Sequence, residues 1–147
     1  MAIRFSSQNR NLDDFRLMEV KKWITEVIFR YGKKVGNISY FFCDDEYLLG
    51  VNQQFLNHDT YTDIITFDYV VSDLISGDIM ISLDRVGENA RKYDVSFEWE
   101  LLRVVIHGVL HLLGQGDKTE AEAAEMRRQE EESLALWKEM FPVEHKC

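Results

Sequence analysis

The chain has 147 residues, 46% hydrophobic and 29% charged, with one Pro, eight Gly and a formal net charge of −9. That is one domain's length with enough apolar material for a substantial core, and it excludes collagen-like, low-complexity and strongly disordered classes. No run of about 18 apolar residues is present to span a bilayer. The Met1–Gln8 segment lacks the apolar stretch of a secretory signal. Two cysteines, Cys43 and Cys147, in a chain of this size need form no staple, so a reduced, cytoplasmic setting is expected. The acidic total argues against a general nucleic-acid binder, and neither a membrane nor DNA is an expected partner. Charge is nevertheless uneven, with eight Lys or Arg against four acids in residues 1–43. A phosphate-bearing partner would meet a local patch including Lys33 and Lys34, unless those side chains only solvate a polar face.

In chain order, Ala2–Ser6 alternates as a first strand, and Asp13–Tyr31 carries an apolar stripe that Gly32 ends. Asn37–Cys43 is β-branched and aromatic, which predicts a second strand. Asp44 caps a helix running through Leu48, Val51, Asn52 and Phe55, and Asn57–Thr62 is turn-like. Ile64–Val70 and Gly77–Ser82 read as an antiparallel pair joined through Val71–Ser76. A short helix over Asp84–Tyr93 precedes a longer one that Ser96 caps and Gly114 ends after Leu113. Thr119 and Glu122 form a capping box opening an amphipathic helix through Trp137. The order β-α-β-α-β-β-α-α-α predicts an α+β single domain over residues 1–147, with about four strands in a mixed sheet and about five helices around it. The Ser96–Leu113 helix is its centre. Trp23, Phe41, Phe42, Phe67 and Trp99 are expected in the core, as is Cys43. Glu130–Glu132 are expected to face solvent, with His145 solvated and Cys147 free.

The chemistry-bearing stretch is His107-Gly-Val-Leu-His111-Leu-Leu-Gly-Gln-Gly-Asp117. On a helix, residues four apart share one face, so both imidazoles can reach one cation. Gly114 and Gly116 let the chain double back, so that Asp117 can bring a carboxylate to the same point. Two imidazoles, a carboxylate and an open position suit catalytic Zn²⁺, and ligand softness also admits Ni²⁺ or Fe²⁺. The competing reading is a pair of satisfied core histidines, against which stands the cost of burying unpartnered imidazoles. Zinc peptidases share this spacing, but their general base follows the first His, where this chain has Gly108. An ordinary peptidase is therefore disfavoured, while phosphodiester hydrolysis leans more on charge neutralisation, which a cation supplies directly.

At these residues the chain resembles the YbeY family of bacterial endoribonucleases and rRNA maturation factors. His107, Gly108, His111, Leu112 and Gly114 match its His-Gly-x-x-His-Leu-x-Gly-x-x-His signature. Upstream, Asn52, Phe55, Asp59, Thr62, Asp63 and Phe67 follow a second family segment, and Gly77-Asp-Ile-Met-Ile-Ser82 a third. Asp117 stands where the family has its third histidine, and Leu56 where it has an Arg, whose phosphate-contacting role is not transferred. His58, two residues on, either compensates in part or is simply solvated. The resemblance places Asn52, Thr62 and Asp63 beside the metal cleft, lining it or supporting it, although Thr62 and Asp63 can equally organise a turn.

The resemblance implies a zinc-dependent endoribonuclease acting on single-stranded RNA in rRNA processing and ribosome quality control, with ribosomal assembly components as partners. His107, His111 and Asp117 would hold one cation, and no residue is assigned as the base. The competing expectations are a non-catalytic ribosome assembly factor with a structural metal, suggested by the acidic surface and Leu56, and an atypical metallopeptidase.

Overall fold

The computed structural model describes residues 2–8, 15–56 and 62–142. The elements within them are β1 (Ala2–Ser7), α1 (Leu17–Arg30), β2 (Lys34–Cys43), α2 (Asp45–Leu56), β3 (Ile64–Asp68), β4 (Leu74–Ser82), α3 (Leu83–Lys92), α4 (Phe97–Leu112) and α5 (Glu120–Met140). This is the expected α+β order. The sheet runs β1-β2-β4-β3; β1, β2 and β4 are parallel, and β3 returns antiparallel along the edge.

Several boundaries differ from the sequence expectation: β3 ends at Asp68, before Val70, α5 runs on past Trp137 to Met140, and three elements start elsewhere. The expected start of the first helix at Asp13 lies outside the described residues, and α1 begins at Leu17, after Arg16 in the left-handed region with φ 52°. β2 begins at Lys34, three residues before Asn37. β4 begins at Leu74, not Gly77, because Leu74 and Ile75 continue the strand that the reading gave to the connection. Ser72, at φ 57°, takes the tight conformation that closes this shortened β3–β4 link.

Alternation in the strands sorts the sheet's two faces. Ile38, Tyr40 and Phe42 of β2 and Ile75, Ile79 and Ile81 of β4 enter the main core with α1, α4 and α5. Cys43 and Ile65 face the other way, under Leu48 of α2, with Phe41, Phe67 and Met80 beside them. Trp23 and Phe42 are fully buried, whereas Phe41, Phe67 and Trp99 are half-buried at the margins. Two side chains lock helices to this frame. Trp23 Nε1 donates to the Ser133 carbonyl of α5 at 2.8 Å, and the buried Tyr40 hydroxyl donates to the Val105 carbonyl of α4 at 3.0 Å. The second bond fixes α4 across the sheet, and with it the histidines. Among the described residues no helix is long and apolar enough to cross a membrane.

Candidate functional site

Local signals build the element that carries the site. Ser96 Oγ accepts the Trp99 N–H at 3.1 Å and Glu98 lies in the first turn, so α4 starts where its cap dictates. Gly114 ends it at φ 103°. Its N–H donates to the His111 carbonyl at 3.0 Å, and the Gln115 N–H donates to the Leu110 carbonyl at 3.0 Å. This paired closure favours glycine because the left-handed position penalises a Cβ. The turn that follows is tied to α5. Gln115 Nε2 donates to the Gly116 and Glu122 carbonyls, and its Oε1 accepts from Gln129. Thr119 and Glu122 close the expected capping box. Asp117 therefore sits on a pinned bend and is brought back against α4.

Between this bend, α4 and the β3 edge lies a cleft of about 310 Å³. One wall is Arg103, Val104, His107 and His111 of α4 with Asp117; the other is Thr62, Asp63, Ile64 and Thr66. A larger apolar cavity of about 370 Å³ lies near Phe5, Phe15 and Leu101, and offers rings and aliphatic chains but almost no polar chemistry.

In the cleft, His107 Nε2 lies 3.4 Å from Asp117 Oδ2. The other ring nitrogen, Nδ1, is 2.6 Å from Glu130 Oε2 on α5. Glu130 is only 5% exposed. Its second oxygen accepts from Arg103 Nη1 at 3.1 Å, and Arg103 also grips the buried Glu100 through Nε at 2.9 Å and through Nη2. Burial alone would push the His107 imidazole down. The hydrogen bond and charge of Glu130, joined by Asp117 and Asp63, outweigh that and hold it above its ordinary 6.5. Burial likewise pushes Glu130 up, but His107 and Arg103 leave it below its ordinary 4.5.

Two imidazoles and a carboxylate on one cleft wall are a donor set suited to a borderline divalent cation. Ligands held at 2.0–2.2 Å in a tetrahedron stand about 3.4 Å apart, which matches the His107–Asp117 separation. Among the described residues no three His, Cys, Asp or Glu are already gathered as a metal-holding group. The gathered part is the His107–Asp117 pair, with His111 exposed one turn further along the same wall.

All three residues singled out as metal ligands thus line one cleft, and Thr62 and Asp63 line it opposite them. Asn52 is buried on α2 and is not part of these walls; Leu56 is exposed at the end of α2. His58, Asp59, His145 and Cys147 lie outside the described residues. The expectation that Glu130–Glu132 all face solvent is corrected. Glu131 and Glu132 do, whereas Glu130 turns inward to His107 and Arg103. Its signal was positional, because Glu130 falls on the stripe of Met126, Leu134 and Trp137, where a charge needs a buried partner. Glu100 and Arg103, three apart on α4, carried the matching hint.

Gly108 also acquires a second explanation. A Cβ there would stand 2.9 Å from Ile79 Cδ1 and 3.1 Å from Ile64 Cδ1, so the position faces the sheet and lets α4 approach it.

A family model described as Endoribonuclease YbeY matches residues 2–138. A Porphyromonas gingivalis protein named Endoribonuclease YbeY is 54% identical over 142 residues, covering 97% of this chain and 94% of its own. The like-named protein of Bacteroides thetaiotaomicron is 45% identical over 136 residues, covering 92% and 99%. A solution structure of a Thermotoga maritima protein shares the fold, with a TM-score of 0.66 at 28% identity over 98% of this chain and 100% of that one.

Proposed function

The chain belongs to the endoribonuclease YbeY family, and from that premise we propose that its cleft hydrolyses phosphodiester bonds of single-stranded RNA with one divalent cation, Zn²⁺ by preference, held by His107, His111 and Asp117. The observation that carries this reading is the opposition of His107 Nε2 and Asp117 Oδ2 across 3.4 Å, on the wall that also bears His111. His111, exposed one turn along the same wall, would supply the third donor.

A phosphate in this cleft needs a positive charge that the described walls do not offer freely. Arg103 is the Lys or Arg side chain among them, and Glu100 and Glu130 already occupy its guanidinium. Leu56 adds no charge. A bound cation would neutralise the phosphate and bring the pKa of a coordinated water toward about 7. Opposite it, Thr62, Asp63 and Thr66 line the β3 side, with the Thr62 hydroxyl donating to the Ile64 carbonyl at 3.4 Å. The substrate class follows from the family, and rRNA maturation with ribosomal assembly components, in the cytoplasm, is the corresponding cellular setting.

The test compares metal-free and Zn²⁺-loaded protein on single-stranded RNA, duplex RNA and casein. Cleavage of single-stranded RNA that needs metal and falls to background in His111→Ala is the expected result. Metal-independent cleavage, or proteolysis without RNA cleavage, would overturn it.

A further inference from the structure

We propose that Glu130 is a positioning residue for the cleft: it accepts a hydrogen bond from the Nδ1–H of His107 and thereby turns the Nε2 lone pair into the cleft on the side of Asp117, while Arg103 and Glu100 hold Glu130 in place. This inference rests on the metal reading of the cleft only for its purpose; the geometry stands by itself. The Nδ1–Oε2 distance of 2.6 Å is that of a charge-assisted bond, and it joins α4 to α5 across 23 residues of sequence. Glu130 is nearly fully buried, so its carboxylate exchanges few partners with water. Arg103 donates to Glu130 Oε1 at 3.1 Å and therefore leaves Oε2 as the acceptor aimed at His107.

The consequence concerns which nitrogen carries the proton. A free neutral imidazole favours the proton on Nε2, which would direct an N–H, and no lone pair, into the cleft. The acceptor-only carboxylate of Glu130, at 2.6 Å from Nδ1, reverses that preference, because the exposed Asp117 carboxylate lies at 3.4 Å from Nε2 and pulls the other way more weakly. Charge adds a second effect. With a singly protonated ring, Arg103 is one positive charge against the carboxylates of Glu100 and Glu130, so the buried network carries a surplus negative charge beneath the cation position. Oriented by such a partner, His107 is a stronger ligand than its spacing to His111 alone would make it.

Glu130→Gln tests this sharply. Arg103 keeps the amide oxygen, so the amide N–H₂ faces Nδ1 and offers a donor where the carboxylate offered an acceptor. Ring-nitrogen NMR of metal-free protein, at a pH where the ring is neutral, is expected to find the proton on Nδ1 in the wild type and on Nε2 in Glu130→Gln. Zn²⁺ affinity, measured by competition with a fluorescent chelator, is expected to fall about 10–100-fold. Glu131→Gln, altering the exposed neighbour, is expected to leave both readouts at wild-type values. The proposal is overturned if wild-type His107 carries its proton on Nε2, a result that needs no variant to fold. It is also overturned if Glu130→Gln keeps both the Nδ1 proton and the wild-type affinity. A wild type that takes up no Zn²⁺ overturns the metal reading, and the ring-nitrogen signals still decide the positioning claim.

Discussion

Helix α5 takes part in two arginine–carboxylate arrays of nearly the same chemistry in opposite surroundings. On its outer side Arg128 bonds Glu125 at 2.7 and 2.8 Å and Glu132 at 2.9 Å, with side chains 57%, 41% and 64% exposed. On its inner side Glu130 shares Arg103 with Glu100, with side chains 6%, 31% and 2% exposed. Water competes for every bond in the first array and for few in the second. The inner array therefore holds geometry that matters to His107, while the outer one covers a solvated face.

Removing the shared cation should separate the two most strongly. Arg103→Met keeps much of the stem's bulk but strands the buried Glu100 without its counter-charge and leaves Glu130 with His107 alone. A loss of about 3–5 kcal/mol is expected, the scale for stranding a buried charge. Urea unfolding of metal-free protein measures it. A loss below about 1 kcal/mol would mean that water reaches the inner array as freely as the outer one.

How much of this was legible in the sequence depends on how local the cause is. The Ser96 cap, the Gly114 stop, the Thr119–Glu122 box and the four-residue His107–His111 spacing act within a turn or two, and the residues state them directly. The role of Glu130 was hidden because its partners lie 23 and 27 residues away on another helix. Its neighbours Glu131 and Glu132 made it look like part of a solvated run. Gly108 was legible only in part. Its type states the absence of a peptidase-like general base, and only the α4–sheet packing adds that it faces Ile79 and Ile64. The early start of β4 escaped because Leu74 and Ile75 sit next to polar Ser72, Asp73 and Ser76, and strand pairing overrode that local signal.

The pH dependence of stability sharpens the comparison at an intermediate scale. His107 sits above its ordinary 6.5 when folded, so its contribution is complete below about 6.5 and is lost as pH rises through the folded value. Glu130 sits below its ordinary 4.5, so its contribution is complete above about 4.5 and is lost as pH falls through the folded value. The pair therefore favours the fold most between these limits. With a chelator present, the stability difference between wild type and Glu130→Gln should peak in that window and shrink on either side. A difference that is flat with pH would detach the pair from folding. The outer array differs: hydrogen bonds to Arg128 and Gln129 pull Glu125 down as well, but its carboxylate faces water, so it should add no measurable pH dependence of stability.

The smallest effect belongs to Arg128→Met. Its two carboxylates already face water, so losing the guanidinium strands no buried charge and leaves Glu125 and Glu132 to be rehydrated. The melting midpoint should stay within replicate scatter, and any residual difference should vanish with added salt, because screening reaches solvent-exposed pairs first. The His107 ring-nitrogen signals and Zn²⁺ affinity should also match the wild type, since the outer array makes no direct bond to His107 and touches the Asp117 bend only through Gln129 and Gln115. If Arg128→Met instead shifted the His107 signals, the two sides of α5 would be mechanically coupled, and burial would not be what sets the inner array apart.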